Sequence, residues 1–189
     1  MYIIRADGNT AIGMGHVMRC LSIADAMKDR NIEPLFMTAD NDCAAMIEDR
    51  GFEACVLGTD YRDMESELPL IREFLRQRTK DVDASSVILV DSYQATSGYY
   101  EELRTMAKVA CLEDMGQSYP VDLLINYNIY GPKLVYDNKI THATLLGTGY
   151  QPLRREFQQD IQYDINDKIT DVMITTGGSD PYFAARAFT

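Results

Sequence analysis

The sequence has no C-x-x-C pair, no clustered histidines and no long apolar run. Each absence closes off a class of protein. Its four cysteines, Cys20, Cys43, Cys55 and Cys111, are scattered, and neither they nor the two histidines share metal-ligand spacing. Cysteines set in apolar runs such as ACVL and VACL read as reduced core residues of a cytoplasmic protein. No stretch approaches the roughly 20 apolar residues of a membrane span. The start, MYIIRADG, lacks the basic lead and apolar stretch of a signal peptide, so the expected setting is cytoplasmic, with no membrane partner. Basic residues are a minority, 18 against 29 acidic, for a net charge of −11. A nucleic-acid partner is therefore not expected, because its phosphates would be repelled. One cleft can still take a phosphorylated small molecule. The motifs G-x-S-x-G, H-E-x-x-H and G-x-x-x-x-G-K-[ST] are also missing, which sets aside serine hydrolases, zinc proteases and P-loop enzymes.

What is present belongs to a folded α/β protein. Of 189 residues 46% are apolar and 25% charged, enough to build a core. Short apolar runs alternate with helical patterns, which predicts a Rossmann-like, mostly parallel sheet. Strands are expected at 2–5, 34–39, 53–57, 87–90, 109–112, 122–126 and 144–147. Val17, Leu21, Ala24 and Met27 recur at helical spacing, predicting a helix over 16–29. Asn41 is the expected cap of a second helix that Gly51 closes. A third is expected to restart near Pro69, and a fourth to run over 98–108.

After a polar stretch from Gln158 to Lys168, the pattern Asp171–Thr176 reads as one more strand, followed by a glycine turn, Gly177-Gly178-Ser179-Asp180. The chain therefore reads as one domain over 1–165 and the opening of a second over 166–189, as if it were the first part of a longer protein.

The strongest local signal is Gly13-Met14-Gly15-His16, between a strand and a helix. Glycines there let backbone approach a ligand, and a helix N-terminus favours an anion or a developing oxyanion. As a dinucleotide fingerprint the segment fails, because Met18 stands where G-x-G-x-x-G needs its last glycine. His16 is the candidate base, since the positive end of the helix favours a neutral ring that can accept a proton. The plain alternative is a helix residue packed on a loop. His142 has no such setting. Asp7 can orient His16, hold a hydroxyl, or fix the turn with Asn9. Asp91, Ser92 and Tyr93 follow the most apolar strand, and Asn126, Tyr127 and Asn128 follow another, so all can reach the crevice at the carboxyl edge of the sheet. Arg154 and Arg155 lie in GYQPLRREF, where an arginine near the crevice can pair with a diphosphate or a sugar substituent, or form a surface ion pair with Glu156. Asp81 and Asp83 form a D-x-D in a linker, a weak metal signal; no metal or cofactor is expected.

The stretch IRADGNTAIGMGHVMRCLSIADAM resembles the N-terminus of the UDP-2,4-diacetamido-2,4,6-trideoxy-β-L-altropyranose hydrolases of pseudaminic acid biosynthesis, a family that includes spore coat polysaccharide biosynthesis proteins. The likeness runs along the chain, through R-x-D, G-x-GH-x-x-RC, VDSY, LEDMG, LLINYN, LLGTGYQPLRREF and ITTGGSDP. The resemblance implies a GT-B architecture of two Rossmann-like domains, with this chain as the first. It implies a UDP-sugar as the small-molecule substrate and His16 as the catalytic base. Arg5, Asp7, Gly13, Met14, Gly15, Asp91, Tyr93, Asn126 and Arg154 would line the sugar pocket, and Gly177, Gly178, Ser179 and Asp180 would meet the diphosphate. A glycosyltransferase of the same architecture and a non-catalytic sugar-nucleotide binding domain are the alternatives.

Overall fold

A computed structural model describes residues 1–78, 86–159, 167–175 and 186. Seven strands form a single all-parallel sheet: β1 (Tyr2–Ala6), β2 (Leu35–Thr38), β3 (Ala54–Val56), β4 (Val87–Asp91), β5 (Lys108–Leu112), β6 (Leu123–Asn126) and β7 (Thr144–Leu146). Their order in space is β3-β2-β1-β4-β5-β6-β7. The fold is α/β and Rossmann-like, as the alternation of apolar runs predicts.

Period-two alternation sends neighbouring residues to opposite faces. In β1, Ile3 joins a cluster with Met37, Ile71, Val90, Tyr99 and Leu103 on one face. Ile4 joins Val17, Leu21, Phe36, Ile47 and Leu89 on the other. Helices α1 (Gly15–Lys28) and α2 (Ala44–Asp49) thus cover one face, and α3 (Leu68–Arg78) and α4 (Ser97–Arg104) the other. Covering on both faces is what makes these strands almost wholly apolar.

The order reverses between β1 and β4: the chain builds outward through β2 and β3, then returns to lay β4 on the opposite side of β1. At such a switch point the connections leave in opposite directions, and a crevice opens beyond the strand carboxyl ends. Their paired register, Ala6 beside Asp91, places residue 7 and residues 91–93 at its rim.

Local chemistry explains the element ends. Thr96 caps α4 by accepting the Tyr99 N–H at 3.1 Å. Pro69 sits in the first turn of α3, where its missing N–H leaves no gap in the ladder. Gly51, at φ +78°, closes α2 as expected. Three expectations need correcting. Asn41 is not the cap of α2: the helix begins three residues later, at Ala44, so Cys43 holds the cap position without a side-chain bond and Asn41 only accepts the Ala44 N–H on its backbone carbonyl. The helix over 98–108 stops at Arg104, since Lys108 already belongs to β5. Asp171–Thr175 is exposed and not a strand; among the described residues no strand covers Val172 and Met173. Gly177, Gly178, Ser179 and Asp180 lie outside the described residues, as do Asp81 and Asp83. No described helix is long and apolar enough to cross a membrane.

Candidate active site

The loop from Asp7 to Met14 leads from β1 into α1, which carries His16 to the carboxyl end of β4. Asn9 accepts from the N–H groups of Ala11 and Ile12 at 2.9 and 3.0 Å, folding the loop back on itself. Gly13 then turns at φ +74°, a conformation that suits glycine. α1 opens at Gly15 with no side-chain cap, so its first N–H groups lack intrahelical acceptors. His16 is the second residue of that helix and is 8% exposed.

The imidazole is tied to the end of β4. His16 Nδ1 lies 2.7 Å from Asp91 Oδ1. Burial alone would raise the Asp91 carboxyl, but hydrogen bonds from Arg19 and His16 outweigh it and hold the group below the usual carboxylate range. A carboxylate only accepts, so Nδ1 must carry the hydrogen. In the neutral ring the other nitrogen, Nε2, is then the one with a lone pair. Asp91, not Asp7, orients His16.

Arg19 completes the arrangement one helical turn beyond His16. Its Nε donates to Asp91 Oδ2 at 2.5 Å, and its Nη2 donates to Oδ1. Its Nη1 donates to the Tyr127 hydroxyl at 2.8 Å and lies 3.4 Å from Asp114 Oδ2. Arg19 Nη2 also stands 3.0 Å from His16 Nδ1. Both atoms are donors in this tautomer, so that contact brings a cation close to the ring and is not a hydrogen bond. Tyr93 meets the imidazole edge-on, with centroids 4.8 Å apart at 78°. Its hydroxyl donates to Asp114 Oδ2 at 2.8 Å. Burial and that bond push the phenol up to about 12, so it remains a donor. The Cys20 thiol adds a longer contact to Asp91, 3.5 Å, and burial raises it well above the ordinary thiol range.

Two cavities flank the pair. Tyr93, Leu112, Asp114, Met115, Gln117 and Tyr119 help to line one of about 390 Å³. Gly15, Met18, Arg19, Tyr127, Arg154 and Phe157 help to line a groove of about 350 Å³. His16 touches Tyr93 of the first and Arg19 of the second. The groove holds the exposed Arg154, whose guanidinium lies 4.7 Å from the Phe157 ring centre. Its neighbour Arg155 reaches Asp29 at 2.5 Å, not Glu156.

Other expected residues have different surroundings. Arg5 is fully buried: it grips Glu67 through Nε and Nη2, at 2.8 and 2.6 Å, and Asp7 through Nη1 at 2.6 Å. Asp7 spends its second oxygen on the Ala39 N–H at 2.7 Å. Asn126 is also fully buried, donating to Tyr136 and accepting from Asn128, so it braces the loop after β6. The structure thus brings His16, Asp91 and Tyr93 against one another and sets Gly15 and Arg154 in the groove that Arg19 also lines, while Arg5, Asp7 and Asn126 are buried in hydrogen bonds to other parts of the fold. His142 is exposed in a loop.

Sequence patterns alone do not point to Arg19 or Asp114. The three-residue step from His16 in GH-x-x-R is the available signal for Arg19, since i and i+3 share a helix face. For Asp114 the available signal is the acidic strand end in LEDMG, but its partners come from α1 and from the loop after β4.

No family model matches the chain. One relative is an uncharacterized protein of Methanocaldococcus jannaschii, 25% identical over an alignment of 191 positions that covers 94% of this chain and 37% of that protein. The chain thus spans a little over a third of the relative's length.

Proposed function

We propose that this chain is the catalytic N-terminal domain of a GT-B-type nucleotide-sugar hydrolase, one that releases UDP from a UDP-diacetamido-trideoxyhexose in surface or coat polysaccharide biosynthesis. The observation that carries the reading is the His16–Asp91 pair at the sheet's switch point. A buried carboxylate fixes Nδ1 as the donor, so that in the neutral ring Nε2 is the nitrogen that can accept a proton, and the pair sits at the carboxyl end of β4, the sheet edge where α/β folds bind ligands. The resemblance through G-x-GH-x-x-RC, VDSY and LLGTGYQPLRREF supplies the substrate class.

The chemistry is a single displacement. The water oxygen bonds to the anomeric carbon as the bond from that carbon to the diphosphate oxygen breaks. The bonding pair departs with UDP, the water's proton passes to His16 Nε2, and the configuration inverts. Arg154, which lines the groove beside α1, would offset charge on the departing diphosphate. The Gly177–Asp180 turn would belong to the second domain and complete that subsite.

The test uses the full-length product of the gene, a panel of UDP-sugars and ¹⁸O-labelled water, with no acceptor present. Label in the sugar and none in UDP is the expected result. Label in the phosphate would move the attack to phosphorus and remove His16 from its role as base toward the anomeric carbon. Turnover that waits for a sugar or lipid acceptor would make the protein a transferase. His16→Ala should lower turnover by roughly 10²–10⁴-fold, the range for loss of a general base.

A further inference from the structure

Asp91 is 1% exposed and its two oxygens meet four donors: His16 Nδ1, Arg19 Nε, Arg19 Nη2 and, at longer range, the Cys20 thiol. A carboxylate this deep needs a compensating positive charge. Among the described residues two neighbours can supply it, the imidazole and the guanidinium. The groups that face the ring are Arg19 and Cys20 from α1, Asp91 and Tyr93 from β4 and the loop after it, Asp114 beyond β5 and Tyr127 beyond β6. Arg19 is the one fixed cation among them.

We propose that Arg19 is a positioning residue for the His16–Asp91 pair: it serves as the permanent counter-ion of Asp91, so that His16 keeps a single proton and a bare Nε2. Three features support this. A guanidinium cannot lose its charge, and its fork engages both carboxylate oxygens at once. It is held from behind by the Tyr127 hydroxyl and by Asp114. It also stands 3.0 Å from Nδ1, where a second positive charge on the ring would be repelled. Without Arg19, the imidazole would be the only group left to balance Asp91, and an adjacent opposite charge favours the protonated form. A ring with both nitrogens protonated cannot accept the proton of an attacking water. The consequence for turnover rests on the reading of His16 as a base; the charge balance does not.

The test is nitrogen NMR of the ¹⁵N-labelled chain at pH about 7.5, above the ordinary histidine range. There are only two histidines, and the exposed His142 serves as an internal reference. The expected pattern for His16 is one protonated nitrogen, Nδ1. Arg19→Met should turn this into two protonated nitrogens, with His142 unchanged. Arg19→Gln can still donate to Asp91 with less disturbance, and should give the same result. Arg19→Lys, which keeps the charge, should restore the single-proton pattern.

A single-proton ring in the folded Met or Gln variant would overturn the proposal, as would a doubly protonated ring in the unaltered chain. If neither neutral variant folds while the Lys variant does, Arg19 is a structural support only and the proposal falls. No turnover is read, so a single-proton ring in a protein that hydrolyses no UDP-sugar would sink the proposed function and leave this inference standing.

Discussion

Two buried arginine–carboxylate networks sit one strand apart under the same sheet edge, and they differ in what they leave unspent. Around Arg5, every strong group is consumed: Glu67 takes the guanidinium fork and the Tyr99 hydroxyl, Asp7 takes Nη1 and the Ala39 N–H, and Arg5 and Glu67 are fully buried. Around Arg19, whose side chain is 17% exposed, the carboxylate is as buried but one partner is an imidazole with a second nitrogen to offer. The first network joins β1 to the turn before α3 and rigidifies the floor of the crevice. The second faces the cavities. Similar chemistry therefore serves structure where it closes on itself and reactivity where it ends in a group with spare capacity.

The comparison can be broken by removing one carboxylate from each network. Glu67→Gln leaves the Arg5 guanidinium buried with half its compensation, and should destabilise the fold by about 3–5 kcal/mol. Asp91→Asn leaves Arg19 near enough to solvent to be rehydrated, and should cost only about 1–3 kcal/mol. Urea unfolding of the two variants beside the parent reads both numbers. Equal losses would mean that the second network is as closed as the first, and the argument for a site there would weaken.

Acid sharpens the same contrast. Asp91 is held below its ordinary value in the folded state, so it contributes stability that is present above the unfolded carboxylate value, about 3.9, and is lost as pH falls through the folded value. The stability gap between the parent and Asp91→Asn should accordingly be constant near pH 6 and shrink below about pH 4. Asp122 is also held low, by the Val109 N–H and by Lys108 against its own burial, and titrates in the same window. Subtracting the variant's curve removes that shared part. A gap that widened on acidification would reverse the sign of the argument and show Asp91 to be protonated more easily in the fold than out of it.

Much of this was legible in the sequence, for identifiable reasons. Val87–Val90 and Val109–Leu112 announce buried parallel strands because both of their faces are covered. The glycine turn before His16 marks the strand-to-helix corner because few other residues can make it. Long-range pairing was harder to read. Arg5, Asp7 and Asn126 carry the polar groups of a binding site, and the sequence places them correctly at strand ends. It does not show that Glu67, Tyr99 and Ala39 consume the first two, or that Tyr136 and Asn128 consume the third. Arg19 was hidden for the converse reason: a lone arginine on a helix looks like surface until Asp91, 72 positions away, is brought against it. Asp171–Thr175 has strand composition yet is not a strand, and composition alone does not make one.

The smallest expected effect tests how open the second network is. Tyr93 is 59% exposed, touches the His16 ring edge-on and spends its hydroxyl on Asp114. Tyr93→Phe keeps the ring contact and deletes one hydrogen bond at a site that water can reach. It should change stability by about 1 kcal/mol or less. Asp114 would retain its 3.4 Å approach to Arg19, which is anchored independently by Tyr127, so the single-proton nitrogen pattern of His16 should not move. A loss well above about 2 kcal/mol, or a changed His16 pattern, would show that Tyr93 and Asp114 hold Arg19 in place. The cavity wall would then be part of the clamp on Asp91, and a ligand pressing on Tyr93 could reach the proton on His16 through it.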